Sequence, residues 1–169
     1  MKLQKVMVIG CPGSGKSHFS RALHELTALP LYHLDMLFWN ADKTTVSREV
    51  FDNRLHSILS KDRWIIDGNY GRTMEERLRA CDTVFFLDLP TEVCLDGIKA
   101  RLNRPRADMP WIEREDEEDA EFVAFVGNFQ TQSRPQVMAL LERYAHKAIC
   151  ILKSREEADE FLGGVNGQH

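Results

Sequence analysis

The chain has 169 residues, 43% of them hydrophobic and 28% charged, with a formal net charge of −4. That length predicts one domain over 1–169, which can bury roughly 70% of its unfolded surface without a metal or disulfide staple. Plentiful Leu, Ile, Val and Phe exclude a disordered composition, and the longest apolar runs are far too short to span a bilayer. Met1-Lys2 leads straight into a strand-like run with no signal-type h-region, so a cytoplasmic address is expected. Cys11, Cys81, Cys94 and Cys150 stand singly, which reads as reduced, mostly buried thiols rather than a zinc site or disulfide framework. A pI near 5.9 argues against nonspecific nucleic-acid binding, which needs dense positive charge.

In chain order, Lys5–Ile9 is a nearly continuous apolar run ending in glycine, as expected of a strand buried on both faces. Phe19, Ala22, Leu23 and Leu26 recur at helical spacing from Lys16 onward. Leu31–Leu34 predicts a second strand ending at Asp35, and Val50 to Leu59 a helix with Ser47 as N-cap. Trp64–Ile66 is a third strand ending at Asp67-Gly68. Thr83–Leu87 is a fourth ending at Asp88, and Thr91 can cap the helix running to about Arg104. Pro105 and Pro110 exclude a regular helix through Trp111. The acidic run Glu113–Glu121 reads as a solvated helix start. Phe122–Phe129 and Val137–Tyr144 return to helical period around Pro135, with Ser133 and Gln136 as a capping-box pair. Ala148–Leu152 is a fifth strand, and Ser154 caps a last helix. Strands alternating with helices predict an α/β doubly wound parallel sheet.

Gly10-Cys11-Pro12-Gly13-Ser14-Gly15-Lys16-Ser17 matches G-x-x-x-x-G-K-[ST], and it lies between a buried strand and a helix start. Glycines let the backbone wrap an anion so that successive N–H groups face phosphate oxygens, and the following helix adds its positive dipole end. Lys16 would reach the β- and γ-phosphates of ATP, and the Ser17 hydroxyl would join a Mg²⁺ shell. His18 travels with the loop as a nucleotide-binding position without a chemical role of its own.

The form G-x-P-G-S-G-K-S near the N-terminus resembles the nucleoside-monophosphate kinase branch of P-loop proteins. Trp64-Ile65-Ile66-Asp67-Gly68-Asn69-Tyr70 is similar to the second motif of that branch, and Arg101 and Arg104 to its lid arginines. His33-Leu34-Asp35 paired with Ile66–Tyr70 resembles small adenylate-kinase-related bacterial proteins labelled DNA topology modulation proteins. The resemblance implies a three-layer P-loop NTPase fold with a five-stranded parallel sheet and a short lid at about 104–121. It also implies ATP, Mg²⁺ and phosphoryl transfer to a small acceptor, first of all a nucleoside monophosphate. The arginine usual on the acceptor-binding helix is replaced here by Met36-Leu37-Phe38-Trp39, leaving Arg48, Arg54 or Arg72 to stand in for it.

Within that frame Asp67 is the expected Mg²⁺ holder, with Asp88 as its strand-end rival. Asp35 could orient or deprotonate an acceptor hydroxyl, with Phe38 and Trp39 as candidate pocket walls. Arg101 and Arg104, three apart and so on one helical face, would offset charge on the transferring phosphoryl. Arg72, Arg106 and Arg134 are weaker candidates for the same task. The leading reading is therefore an ATP- and Mg²⁺-dependent kinase acting on a nucleotide and a small acceptor, with no membrane partner. A DNA-topology or gene-expression regulator and a kinase of a non-nucleotide molecule are the alternatives. Oligomeric state stays open.

Overall fold

Five short strands form one all-parallel sheet in the computed structural model, which describes residues 3–117 and 119–167. They are β1 (Lys5–Gly10), β2 (Leu31–His33), β3 (Trp64–Asp67), β4 (Thr83–Leu87) and β5 (Ala148–Leu152), ordered β2-β3-β1-β4-β5. The three central strands are almost wholly buried, which is why each reads as an uninterrupted apolar run. Helices α1 (Lys16–Thr27), α3 (Arg48–Leu59), α4 (Gly71–Ala80), α5 (Thr91–Ala100), α7 (Arg134–Arg143) and α8 (Arg155–Asn166) flank the sheet. Two more complete the set, a five-residue α2 (Leu34–Phe38) and α6 (Ala120–Asn128). Among the described residues no helix is long and apolar enough to cross a membrane.

Local chemistry explains most element ends. The Ser47 and Ser154 side chains accept from Val50 N and Glu157 N, capping α3 and α8 as expected. Several expectations need correction. Strand β2 stops at His33, so Asp35 lies in the first turn of α2 rather than at a strand end. Helix α5 follows Pro90, not a Thr91 cap, and ends at Ala100. Arg101 is its C-cap, so Arg101 and Arg104 do not share a helical face. Ser133 makes no cap; a π-helical turn over Phe129–Ser133 joins α6 to α7 and absorbs Pro135 at the next helix start. Helix α6 begins only at Ala120, near the end of the acidic run, with Asp119 accepting from Glu121 N and Phe122 N. Glu118, within that run, lies outside the described residues. Helix α4 has no counterpart among the predicted elements, because its buried face is Thr73, Met74, Arg77 and Leu78, two of them polar.

All four cysteines are free, three of them buried.

Candidate active site

A cavity of about 1180 Å³ opens at the carboxyl ends of β1, β2 and β3, the crevice where open parallel sheets take ligands. Its floor is the glycine loop. Gly13 (φ 83°) and Gly15 (φ 96°) hold left-handed conformations that side chains resist, so the loop curls where a β-carbon would obstruct it. Gly10 N donates to Asn69 Oδ1 at 3.0 Å, tying the loop's first residue to the segment after β3. Gly15 directly precedes α1, so the first-turn N–H groups and the helix's positive end face the same space.

Lys16 folds along the loop, its Nζ donating to Cys11 O at 3.2 Å. Burial pulls its ammonium below the ordinary lysine range, while Asp67 and Asp35 push it back up, so both carboxylates share its field. Ser17 Oγ accepts from Arg21 Nη1 at 2.6 Å. Arg155, from the first turn of α8, donates to Gly13 O at 3.2 Å and lines the cavity. Cys11 lies under the loop, not in the cavity lining; its hydrogen bond to Cys94, then burial, push its thiol up, so it stays protonated. Ser14 is likewise buried, whereas Pro12 and the exposed His18 line the cavity.

Strand register assembles the next group. His33 pairs with Asp67 across β2 and β3, and Val8 of β1 pairs with Asp67 on its other side. His33 Nδ1 lies 2.7 Å from Asp67 Oδ2, and since a carboxylate only accepts, the imidazole proton sits on Nδ1. Asp35 accepts from the Tyr70 hydroxyl at 2.5 Å. Burial raises the Asp35 carboxyl above its ordinary value, with the Tyr70 hydrogen bond and Lys16 pulling the other way. Tyr70 itself sits at φ 34°, uncommon for a non-glycine residue.

Arg77 holds that loop in place. Fully buried on α4, it donates to Gly68 O at 2.8 Å, to Tyr70 O at 3.1 Å and to Asn69 O. Burial lowers its guanidinium to about 9, still protonated at neutral pH. Nothing in the local sequence separates this arginine from the exposed arginines of the same helix. Gly97 is a second such residue, because a β-carbon there would lie 2.1 Å from Gly13 O. Gly97→Ala should therefore push the loop out of shape, weakening ATP binding and costing about 1–3 kcal/mol of stability. Thermal shift with and without ATP measures both effects; an unchanged shift would show that the loop does not depend on this contact.

Of the lid arginines, Arg101 and Arg106 line the cavity and converge on Glu113, at 3.1 and 2.8 Å from its Oε1. Arg104 is exposed and outside the cavity lining, because the chain after Ala100 is irregular and turns it outward. Between α5 and α6 the chain carries a bridge between Arg106 and Met109 and a 3-10 turn over Glu115–Glu117. Asp88 is bound by Arg134, whose Nε and Nη2 donate to it at 2.8–3.0 Å. That pair engages both, and neither residue is part of the cavity lining. Phe38 is partly buried and packs against Phe51 and Tyr70 at the edge of the core, whereas Trp39 lines the cavity.

The residues present fit a nucleotide with magnesium: a glycine cradle, a lysine along it, and Ser17 and Asp67 as hard oxygen donors on the same cavity. No cluster of three or more His, Cys, Asp or Glu side chains suited to a metal occurs among the described residues.

No protein-family model and no curated protein matches the chain. Solved structures do. A shikimate kinase from Acinetobacter baumannii, in complex with shikimate, has a TM-score of 0.61 at 18% identity, covering 97% of this chain and 91% of that one. A shikimate kinase from Bacteroides thetaiotaomicron has a TM-score of 0.58 at 18% identity, covering 96% of each chain. At such identities the likeness is one of architecture: this chain has the α/β P-loop fold of the shikimate kinases, a five-stranded parallel sheet between helices.

Proposed function

We propose that the protein is an ATP-dependent kinase that moves the γ-phosphoryl group of ATP onto a hydroxyl of a small acceptor. The observation that carries this is the placement of Lys16, Asp67 and Asp35 on one cavity whose floor is the glycine loop. Lys16 lies where it can follow negative charge from the β- to the γ-phosphate, and Ser17 and Asp67 would hold Mg²⁺. The ion, when bound, neutralises charge on the phosphate oxygens. His33 orients Asp67, and the Arg77 clamp fixes the loop that follows it. Asp35, held by Tyr70, accepts the acceptor's hydroxyl proton as the oxygen attacks. Arg101 and Arg106 extend from the lid over the transferring group, where they offset its charge and help exclude water. Arg104 would join them only if the lid turned it inward.

A nucleoside monophosphate acceptor would need a cation for its own phosphate. Arg72 is instead held by Asp52 through both nitrogens, Arg54 donates to Leu37 O, and Arg48 is exposed. These contacts favour a non-nucleotide acceptor over a monophosphate.

An acceptor screen with ATP and Mg²⁺, read as ADP release, tests the reading. Asp35→Asn should lower the acceptor-stimulated rate roughly 10²–10⁴-fold, the range for losing a positioned base. Because burial raises Asp35, the acid limb of kcat/KM should lie above the ordinary carboxylate range and vanish in the variant. The same shift favours the folded state below the ordinary pKa and is lost as pH rises through the folded value. Asp35→Asn should then raise Tm at pH 8 but not at pH 4. Tight, salt-sensitive duplex binding without acceptor-stimulated ADP release would instead favour the DNA regulator.

A further inference from the structure

Building on the kinase reading, we infer that Asn69 touches the group being transferred: its amide, aimed by the start of the glycine loop, donates through Nδ2 to a terminal oxygen of the γ-phosphate. Such a residue lets the site tell a nucleoside triphosphate from a diphosphate. The backbone of Asn69 is held on both sides. Its carbonyl oxygen accepts from the buried Arg77 guanidinium, as do those of Gly68 and Tyr70 next to it. Gly68 N in turn donates to Val8 O at 3.1 Å, joining the segment to β1. The side chain is fixed as firmly, because Asn69 Oδ1 accepts from Gly10 N at 3.0 Å. A backbone N–H only donates, so the amide oxygen faces Gly10 and the amide nitrogen faces away from it.

That nitrogen is open to the cavity. Asn69 lines it, and Nδ2 makes no hydrogen bond among the described residues while not being one of their shielded, unpartnered atoms. Chain order decides what the donor meets. Asp67, two residues earlier, shares the field of Lys16 and is the proposed Mg²⁺ ligand, whereas Tyr70, the next residue, holds Asp35. The N–H groups that cradle the β-phosphate belong to the loop's far end and the first turn of α1. Asn69 is tied instead to the loop's first residue, Gly10. A phosphoryl group passing from ATP to a hydroxyl on Asp35 must cross between the Lys16–Asp67 pair and the Tyr70–Asp35 pair, and Asn69 stands at that crossing. An amide suits the place. It gives a hydrogen bond to a charged oxygen while adding no charge beside Asp67, and, being fixed beforehand, it needs no reorganisation as charge moves. In a diphosphate the oxygen it would meet is missing.

The test is calorimetric titration of the full chain, in the presence of Mg²⁺, with ADP and with a non-hydrolysable ATP analogue. Asn69→Asp keeps an oxygen for the Gly10 N–H and replaces the donor with a second oxygen that repels the γ-phosphate. It should weaken the analogue about tenfold more than ADP, while the unliganded variant melts as the wild type does. Asn69→Leu removes the donor without adding charge and should move the same ratio in the same direction. On ¹⁵N-labelled wild-type protein the Asn69 side-chain amide resonances should shift farther with the analogue than with ADP. Equal losses for the two nucleotides, or amide resonances that move no farther with the analogue, would leave Asn69 as a tie for the loop and overturn the inference. A wild type that binds neither nucleotide overturns it together with the kinase reading. A preference for the analogue that both variants lose, in a wild type showing no acceptor-stimulated ADP release, upholds it and removes the kinase reading instead.

Discussion

Lys16→Ala should abolish most of the stabilisation that ATP with Mg²⁺ gives the wild-type protein and lower turnover roughly 10²–10³-fold. The first effect is mass action: a ligand at a hundred times its Kd stabilises the folded state by about 2.7 kcal/mol, and the variant no longer binds it tightly. The second follows from losing a preorganised cation aimed where charge develops. The fold should survive. Burial lowers the Lys16 pKa, so at neutral pH its charge costs the folded state free energy, and the unliganded variant should melt no lower than the wild type. Thermal shift measures both arms. A wild-type Tm unmoved by millimolar ATP would remove nucleotide binding from this loop altogether.

Asp67→Asn and Asp88→Asn should fail in opposite ways, although Asp67 ends one buried central strand and Asp88 directly follows another. Asparagine at 67 keeps an oxygen for the His33 Nδ1–H but loses the charge that Lys16 and a magnesium ion would meet. Turnover should fall about 10²–10³-fold with Tm nearly unchanged. Asp88 is 5% exposed and held by Arg134, itself 32% exposed. Its amide variant breaks a half-shielded ion pair, costing about 1–3 kcal/mol of stability with little effect on rate beyond it. Melting curves and kcat for both variants decide the matter; a rate defect confined to Asp88→Asn reverses the assignment.

The sequence determined what short-range pattern can carry. Central strands buried on both faces must be continuous apolar runs, so β1, β3 and β4 were legible, and their alternation with helices set the α/β class. The loop was equally plain, because wrapping a phosphate requires glycine, lysine and a hydroxyl at fixed spacing along one segment. What only the tertiary structure decided involves residues far apart in the chain. Inserting β3 between β1 and β2 puts His33 against Asp67, and nothing within either strand encodes that neighbour. Phe38 and Trp39 are adjacent aromatics, yet one packs against the core and the other lines the cavity, because the chain turns at the end of α2. Helix α4 was hidden because its buried face includes Arg77, which polarity alone assigns to solvent; the three carbonyls that satisfy it exist only once the 68–70 loop has folded over it. The lid arginines follow the same rule. A spacing of three implies a shared face only while the helix lasts, and α5 ends at Ala100, so Glu113 gathers Arg101 with Arg106 and leaves Arg104 in water. Periodicity reports which face of a segment is buried, whereas the partner of a buried charge is set by the packing of segments that meet only in the folded chain.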